Sequence, residues 1–424
     1  MASFVIQGGN PLSGVHRAAG NKNAVLPMLA ACVLTDEPVK LTNVPLIQDV
    51  HTMLAILDAL GVQVDRRGHT VTLCARGIRR RNLDPKLCHR VRSSILFAGP
   101  MAARHGQVTL SAPGGDVIGR RRLDTHVEGL RQLGIRIDTS NGFAFKRTKL
   151  APARILLDEA SVTATENVLM AAVLVPGRTT IFNAACEPHV QDLCRMLCRM
   201  GARIDGIGTN YLQIDGVERL GGTSHRVQPD TVDAASFLAA AVATGGELKI
   251  EDLPADQFDV ISRPFSKLGI TWSIEGRTLT LPAKQRLRVQ DDLGAAIPKV
   301  EDGIWPAFPS DLMSVVLILA TQARGTVLFF EKLFESRMYF VDRLIAMGAR
   351  VVQCDPHRVI VSGPAHLHGI HMSSPDIRAG MGLLIAALCA KGESVIDNAD
   401  IIDRGYEGIE NKLRKLGADI VRRK

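Results

Sequence analysis

The chain has 424 residues, 46% hydrophobic and 22% charged, with a net charge of +8, and at roughly 150 residues per domain that length predicts two or three domains. Aromatics are only 4% and no lysine–arginine run is longer than three residues, as at Arg79 to Arg81, so nucleic acid is not an expected partner. No apolar run approaches the roughly 18 residues of a membrane span. The N-terminus MASFVIQGGNPLSG lacks a basic patch followed by an apolar core, so no secretory signal is expected and the expected compartment is the cytoplasm.

In chain order, a first strand spans Ser3 to Ile6 and is expected to pair with the distal half of the chain. Two phrases then alternate. One is an Ala/Leu-rich helix, a turn and a β-branched strand: NAVLPMLAACVL…VKLTNV, SSILFAGPMAARHGQVTL, ENVLMAAVLVPGRTTIF, DAASFLAAAVATGGELKI, DLMSVVLILATQARGTVLF and GMGLLIAALCAKGESVI. These helices are apolar nearly all round and so should be central. The other phrase is an amphipathic helix that ends at Leu-Gly or Met-Gly before an alternating strand, with its glycine at Gly61, Gly134, Gly201, Gly269, Gly348 and Gly417. Apolar residues at i, i+3 or i+4, and i+7 make one buried face. The glycine ends the helix in the left-handed conformation. Pro264 interrupts the fourth amphipathic helix, which should be kinked or start late.

The six glycines are 73, 67, 68, 79 and 69 residues apart, so the chain reads as six repeats, too long for a solenoid of about 20–50 residues per repeat. Three repeats per domain match the domain-size prior. The break falls near Gln228-Pro229-Asp230, giving a first domain of 22–229 and a second of 1–21 with 230–424. A double connection of this kind predicts a hinge with a cleft.

The eight cysteines are scattered; Cys194 and Cys198 share a helix face with Leu193, Met196, Leu197 and Met200 and read as reduced packing residues. The twelve histidines show no HExxH spacing, so no metal is expected. Neither a Walker motif nor a strand-following GxGxxG is present, so no nucleotide cofactor is indicated. The starts of the apolar helices say more. Lys22-Asn23, Arg92-Ser93, Thr165-Glu166, Asp233, Ser310-Asp311, and Asp376 with Arg378 stand there. Helix N-termini favour anions. Acids and serines at Asp233 and Ser310-Asp311 have an ordinary explanation as caps, whereas Lys22, Arg92 and Arg378 oppose the dipole and suggest that they face something anionic. The loop Ser111 to His126, SAPGGDVIGRRRLDTH, combines glycines, a carboxylate and three arginines.

These segments are similar to those of the UDP-N-acetylglucosamine 1-carboxyvinyltransferase family of enolpyruvyl transferases, over essentially the whole chain. GNKNAVLP, PGGDVIGRRRLDTHVEGLRQLG, SVTATEN, WPAFPSDLMS, FESRM, PDIRAG and IDRGYE carry the likeness. The resemblance implies an α/β fold of two domains, each an inverse α/β barrel of three βαβαββ units, with an interdomain cleft. It implies two small-molecule partners, phosphoenolpyruvate and UDP-N-acetylglucosamine, no cofactor, and enolpyruvyl transfer to the sugar 3′-hydroxyl by addition–elimination, at the start of peptidoglycan precursor synthesis. On that basis Lys22, Arg121 and Arg404 match positions for phosphoenolpyruvate. Arg92, Arg121, Asp124, Thr125, Ser161, Val162 and Leu333 match positions around the uridine nucleotide. Asp311 matches the base that takes the hydroxyl proton, and Asn23, Arg337, Asp376 and Arg378 match positions that organise the closed site. Asp116 stands where most members carry the cysteine that fosfomycin alkylates, and is the candidate proton donor to the methylene carbon. In the stretch Asp158-Glu159-Ala160-Ser161, Glu159 stands where a lysine is common, and Cys186 stands where NAAREP has its arginine. The residues leave two alternatives: transfer to another uridine nucleotide, or a UDP-sugar-binding paralogue without turnover.

Overall fold

A computed structural model describes residues 2–116, 118–140 and 142–423; Val117, within the glycine-rich loop, lies outside them. Two compact units divide the chain. The first comprises Gly20–Gly115 and Arg121–Gln228, the second Met1–Ala19, Asp116–Arg120 and Pro229–Lys424.

All six phrase-ending glycines have positive φ, from 80° to 104°. At Gly61 the left-handed residue closes the helix Gln48–Leu60, its N–H donating to the Asp58 and Leu57 carbonyls. The physics that marks these points in the sequence is local, so it survives folding unchanged. The apolar helices are buried on every side, as in Thr231–Ala243, Met313–Gln322 and Ile377–Cys389, where nearly every residue is inaccessible. Truncating one such side chain, Leu317→Ala for example, would cost about 2–5 kcal/mol. Two starts differ from expectation. The second apolar helix opens as a 3-10 stretch, Arg92–Phe97, before the α-helix Ala98–His105; Pro100 has no N–H to donate and so belongs in the first α turn. The third begins at Val162, capped by Ser161, which leaves Thr165 and Glu166 buried inside the helix rather than before it. The fourth amphipathic helix, Asp259–Lys267, keeps Pro264 within it and follows a separate 3-10 turn at Ala255–Gln257.

Each unit carries three small sheets and its own core. In five of the six sheets an edge strand runs parallel to the strand that leaves the apolar helix, and an antiparallel pair of strands continues the sheet. Thr223–Arg226, Val39–Thr42, Thr70–Cys74 and Gln63–Arg67 make one such sheet. The exception joins Gln107–Leu110, Phe143–Arg147 and Ile135–Asp138, with only a bridge from Asn82 to Thr109 in the fourth place. The first strand, Ser3–Gln7, lies between Glu393–Asp397 and Asp419–Arg423 in antiparallel register, Phe4 opposite Ile396 and Arg422. Its pairing with the distal half is therefore as expected.

The inverse α/β barrel is not. The six sheets hold three or four strands each, and none closes on itself. A barrel needs a sheet that closes on itself, typically with about 8 strands around a filled interior. What the helices meet instead is a set of separate open sheets. Among the described residues no helix is long and apolar enough to cross a membrane.

Candidate active site

In the first unit, the helix Lys22–Ala31 starts behind Asn21, whose side chain accepts the Ala24 N–H at 2.9 Å. The cap leaves Lys22 at the first helical position, buried, with its Nζ 2.9 Å from Asp49 Oδ2. Asn23 beside it is half-buried. Arg92 opens the 3-10 stretch and donates through Nη2 to the Arg121 carbonyl at 2.7 Å and the Arg122 carbonyl at 3.1 Å. Burial first, and then the Arg121 charge, bring Arg92 down to about 10. The arginine thereby fixes the backbone on which Arg121, Asp124 and Thr125 stand. Thr125 donates to Asp158 Oδ1 at 2.6 Å, and Arg122 bridges Asp124 at 3.0 Å and Asp158 at 2.9 Å. Asp158 thus binds the loop, next to Glu159, which stands where the family has its lysine. Ser161 and half-buried Val162 begin the neighbouring helix.

Beneath that loop lies His126, 1% exposed. Its Nε2 is 3.0 Å from Thr163 Oγ1, and Asn167 Nδ2 is 3.1 Å from its Nδ1. An amide N–H must donate, so Nδ1 accepts and the ring is neutral with its proton on Nε2. Burial, reinforced by Arg92, lowers its pKa to about 3. Asn167 also accepts the Gly99 N–H at 2.6 Å and donates to the Ile95 carbonyl. One polar chain therefore locks the loop base to two apolar helices.

In the second unit, Asp311 gathers two arginines. Arg337 Nη2 reaches Oδ1 at 3.1 Å and Arg378 Nη2 reaches Oδ2 at 2.8 Å, with both guanidinium groups almost wholly buried. The cap explanation for Asp311 consequently fails: the carboxylate is spent on side chains, and the following helix Met313–Gln322 has no side-chain cap. Asp233 does not cap either. It sits in the first turn behind the cap Asp230 and pairs with His16 at 2.8 Å. Asp376 is a true cap, accepting the Arg378 and Ala379 N–H groups at 2.8 and 2.9 Å, and burial raises its pKa. Burial opposes the charge on Arg378, but Asp311, Tyr406 and Asp230 outweigh it and raise its pKa. Arg404 donates to Asp116 Oδ1 at 2.5 Å. Ile118 and Arg120 are held too: Ser336 N–H meets the Ile118 carbonyl and Arg120 N–H meets Glu335, both at 3.2 Å. Leu333 is 41% exposed.

Of the expected residues, Asp311, Arg337, Asp376 and Arg378 form one cluster, Asp116 and Arg404 a pair, and Arg92, Arg121, Asp124 and Thr125 a continuous loop base. Of the three cations that oppose the helix dipole, Lys22 and Arg378 face protein carboxylates and Arg92 faces carbonyls. Sequence reasoning missed Asp49 and His126, and gave Asp158 no role in holding the loop. Asp49 looks like any acid in a first helical turn, and its 27-residue distance from Lys22 leaves no spacing to read.

A model of the EPSP synthase (3-phosphoshikimate 1-carboxyvinyltransferase) family matches residues 6–413. Among curated relatives, the UDP-N-acetylglucosamine 1-carboxyvinyltransferase of Treponema denticola is 51% identical over 421 residues, 99% of either chain. That of Bradyrhizobium diazoefficiens is also 51% identical, over 99% of this chain and 97% of its own. Among solved structures, the enolpyruvyl transferase NikO of Streptomyces tendae superposes with a TM-score of 0.89 at 24% identity, over 99% of this chain and 98% of that one. EPSP synthase of Acinetobacter baumannii does so with 0.78 at 17%, over the whole of both. The two structures share the fold; the sequence matches go further, and by them the chain belongs to the enolpyruvyl transferases of the EPSP synthase family, alongside the UDP-N-acetylglucosamine 1-carboxyvinyltransferases.

Proposed function

We propose that this protein transfers the enolpyruvyl group of phosphoenolpyruvate to the 3′-hydroxyl of UDP-N-acetylglucosamine and releases phosphate, at the start of peptidoglycan precursor synthesis. The observation that carries the reading is half-identity over nearly full length to relatives of that activity. The side chains suit the chemistry. Asp311, held by Arg337 and Arg378 yet with a quarter of its side chain accessible, takes the hydroxyl proton as the sugar oxygen attacks C2 of phosphoenolpyruvate. Asp116 gives a proton to C3, forming a methyl group and a tetrahedral ketal. The Asp116 carboxylate then takes a proton back from C3, the C2–O bond to phosphate breaks, and the double bond is restored. Lys22, Arg121 and Arg404 supply positive charge for the phosphate and carboxylate. Arg92, Asp124, Thr125, Ser161, Val162 and Leu333 contact the nucleotide, while Asn23, Asp376, Arg337 and Arg378 organise the site. The sequence carries no signal for export, and we place the activity in the cytoplasm.

The test is phosphate release from phosphoenolpyruvate with and without UDP-N-acetylglucosamine, with the product weighed by mass spectrometry. Acceptor-dependent release and a product heavier by one enolpyruvyl group are expected. Release only with a different uridine nucleotide would change the acceptor, and binding without release would leave a UDP-sugar-binding protein.

A further inference from the structure

Below the Asp311 cluster are two carboxyl groups that the transfer reaction does not use. The strands Lys299–Glu301 and Gly325–Phe330 run parallel, with Glu301 opposite Phe330. One step beyond that register stand Asp302 and Glu331, each 0% exposed. In-register neighbours on adjacent strands project to the same face, about 4.8 Å apart. The strand ends thus bring two carboxyl groups face to face in a fully buried place.

Their donors do not match two ionised carboxylates. Glu331 Oε1 accepts the Leu333 and Phe334 N–H groups, both at 3.2 Å, and Ser310 Oγ lies 3.0 and 2.9 Å from Oε1 and Oε2. Asp302 Oδ1 accepts the Lys332 N–H at 2.5 Å. Asp302 Oδ2 is buried and finds no donor among the described residues. An orphaned buried acceptor costs about 1–3 kcal/mol or more when charged, and two facing carboxylates cannot both ionise cheaply. A proton on Glu331 would remove both penalties, giving Oδ2 its donor.

We propose that Asp302 and Glu331 share one proton and act as positioning residues for the Asp311 site, Glu331 tying Ser310, next to Asp311, to the Leu333–Phe334 backbone that leads into Arg337. The other charged groups around the pair are few. Arg337 follows on the same turn and is engaged by Asp311. Lys332 turns its Nζ to Glu301 at 3.3 Å, and His357 Nδ1 meets the Glu331 carbonyl at 2.7 Å. Burial above all, then Asp302, pushes the Glu331 carboxyl up to about 9, against the opposing pull of Arg337 and Ser310.

The positioning role rests on the transfer reading; the shared proton does not, and infrared spectroscopy separates the two. At neutral pH the full chain should show a protonated-carboxyl C=O stretch that disappears near pH 9 and is missing from Glu331→Gln. Glutamine copies the neutral acid, its amide donating to Asp302 Oδ2 and its oxygen accepting as before. It should therefore retain most of the kcat/KM for UDP-N-acetylglucosamine, with the alkaline limb near pH 9 removed. Glu331→Ala should lose tenfold or more in kcat/KM. Identical infrared spectra for wild type and Glu331→Gln would overturn the shared proton, whatever the turnover. With the band present, a glutamine variant as impaired as the alanine one, or with the alkaline limb intact, would overturn the positioning role. The band in a protein that does not turn over would sink the transfer reading and leave the proton pair standing.

Discussion

Arg404 donates from Nη1 to Oδ1 of Asp116 across 2.5 Å, although 288 positions separate them in the chain. Both side chains are mostly buried, at 18% and 13% exposure. A loop aspartate in Pro-Gly-Gly-Asp would ordinarily serve its own turn; this one is turned to a cation instead. The candidate acid and a candidate phosphoenolpyruvate-binding arginine are thus in contact.

Asp116→Asn keeps an oxygen for Arg404 but has no acid proton to transfer. We expect a folded protein by circular dichroism, with turnover lower by a factor on the order of 10². Near-normal phosphate release would end the acid role. A carboxylate is also a poor nucleophile toward fosfomycin, so the unmodified protein should keep its activity on prolonged incubation, while Asp116→Cys should lose it with time and gain the adduct mass at that cysteine. Time-dependent loss in the unmodified protein would refute the resistance.

Asp311→Asn separates chemistry from packing. Asparagine can still accept from Arg337 or Arg378 but cannot hold the hydroxyl proton, so kcat should fall by about 10² or more with little change in the KM for UDP-N-acetylglucosamine. A variant that loses only stability, with turnover per folded molecule intact, would leave Asp311 as a structural counter-ion.

Asp49 is expected to position Lys22. Both side chains are buried, at 5% and 11% exposure, and removing one partner of such a pair costs on the order of 3 kcal/mol. Asp49→Ala should be less stable to urea, with a several-fold higher KM for phosphoenolpyruvate, and Asp49→Glu should recover part of both. If the KM for phosphoenolpyruvate does not move in either variant, the pair is only structural.

His126 sets an acid limit. Its folded pKa of about 3 lies below the value near 6.5 of the unfolded chain, so between those pH values the unfolded state binds the extra proton. Its contribution is whole above about pH 6.5 and is lost as pH falls toward 3, at about 1.4 kcal/mol per unit for one proton. In His126→Gln, urea midpoints measured from pH 7 to 4 should decline less steeply than in the wild type. Parallel declines would show that this ring does not limit acid stability.

Six repeats, their apolar helices and their left-handed glycines are determined by the sequence itself, because each depends on forces within a few residues: a buried face, a capping turn, a strand's alternation. The motifs around Lys22, Asp116, Asp311 and Arg404 were equally legible, since they are contiguous strings. Only the tertiary structure decided that the sheets stay open, and that Thr223–Arg226 and Gly14–Arg17 each complete a repeat remote in the chain. An edge strand is chosen by which backbone arrives beside it, and backbone hydrogen bonds carry no residue code. The same holds for Lys22 with Asp49 and Asp302 with Glu331. A carboxylate's partner and its proton are set by distance and by the absence of water, and both arise only when separate elements have packed.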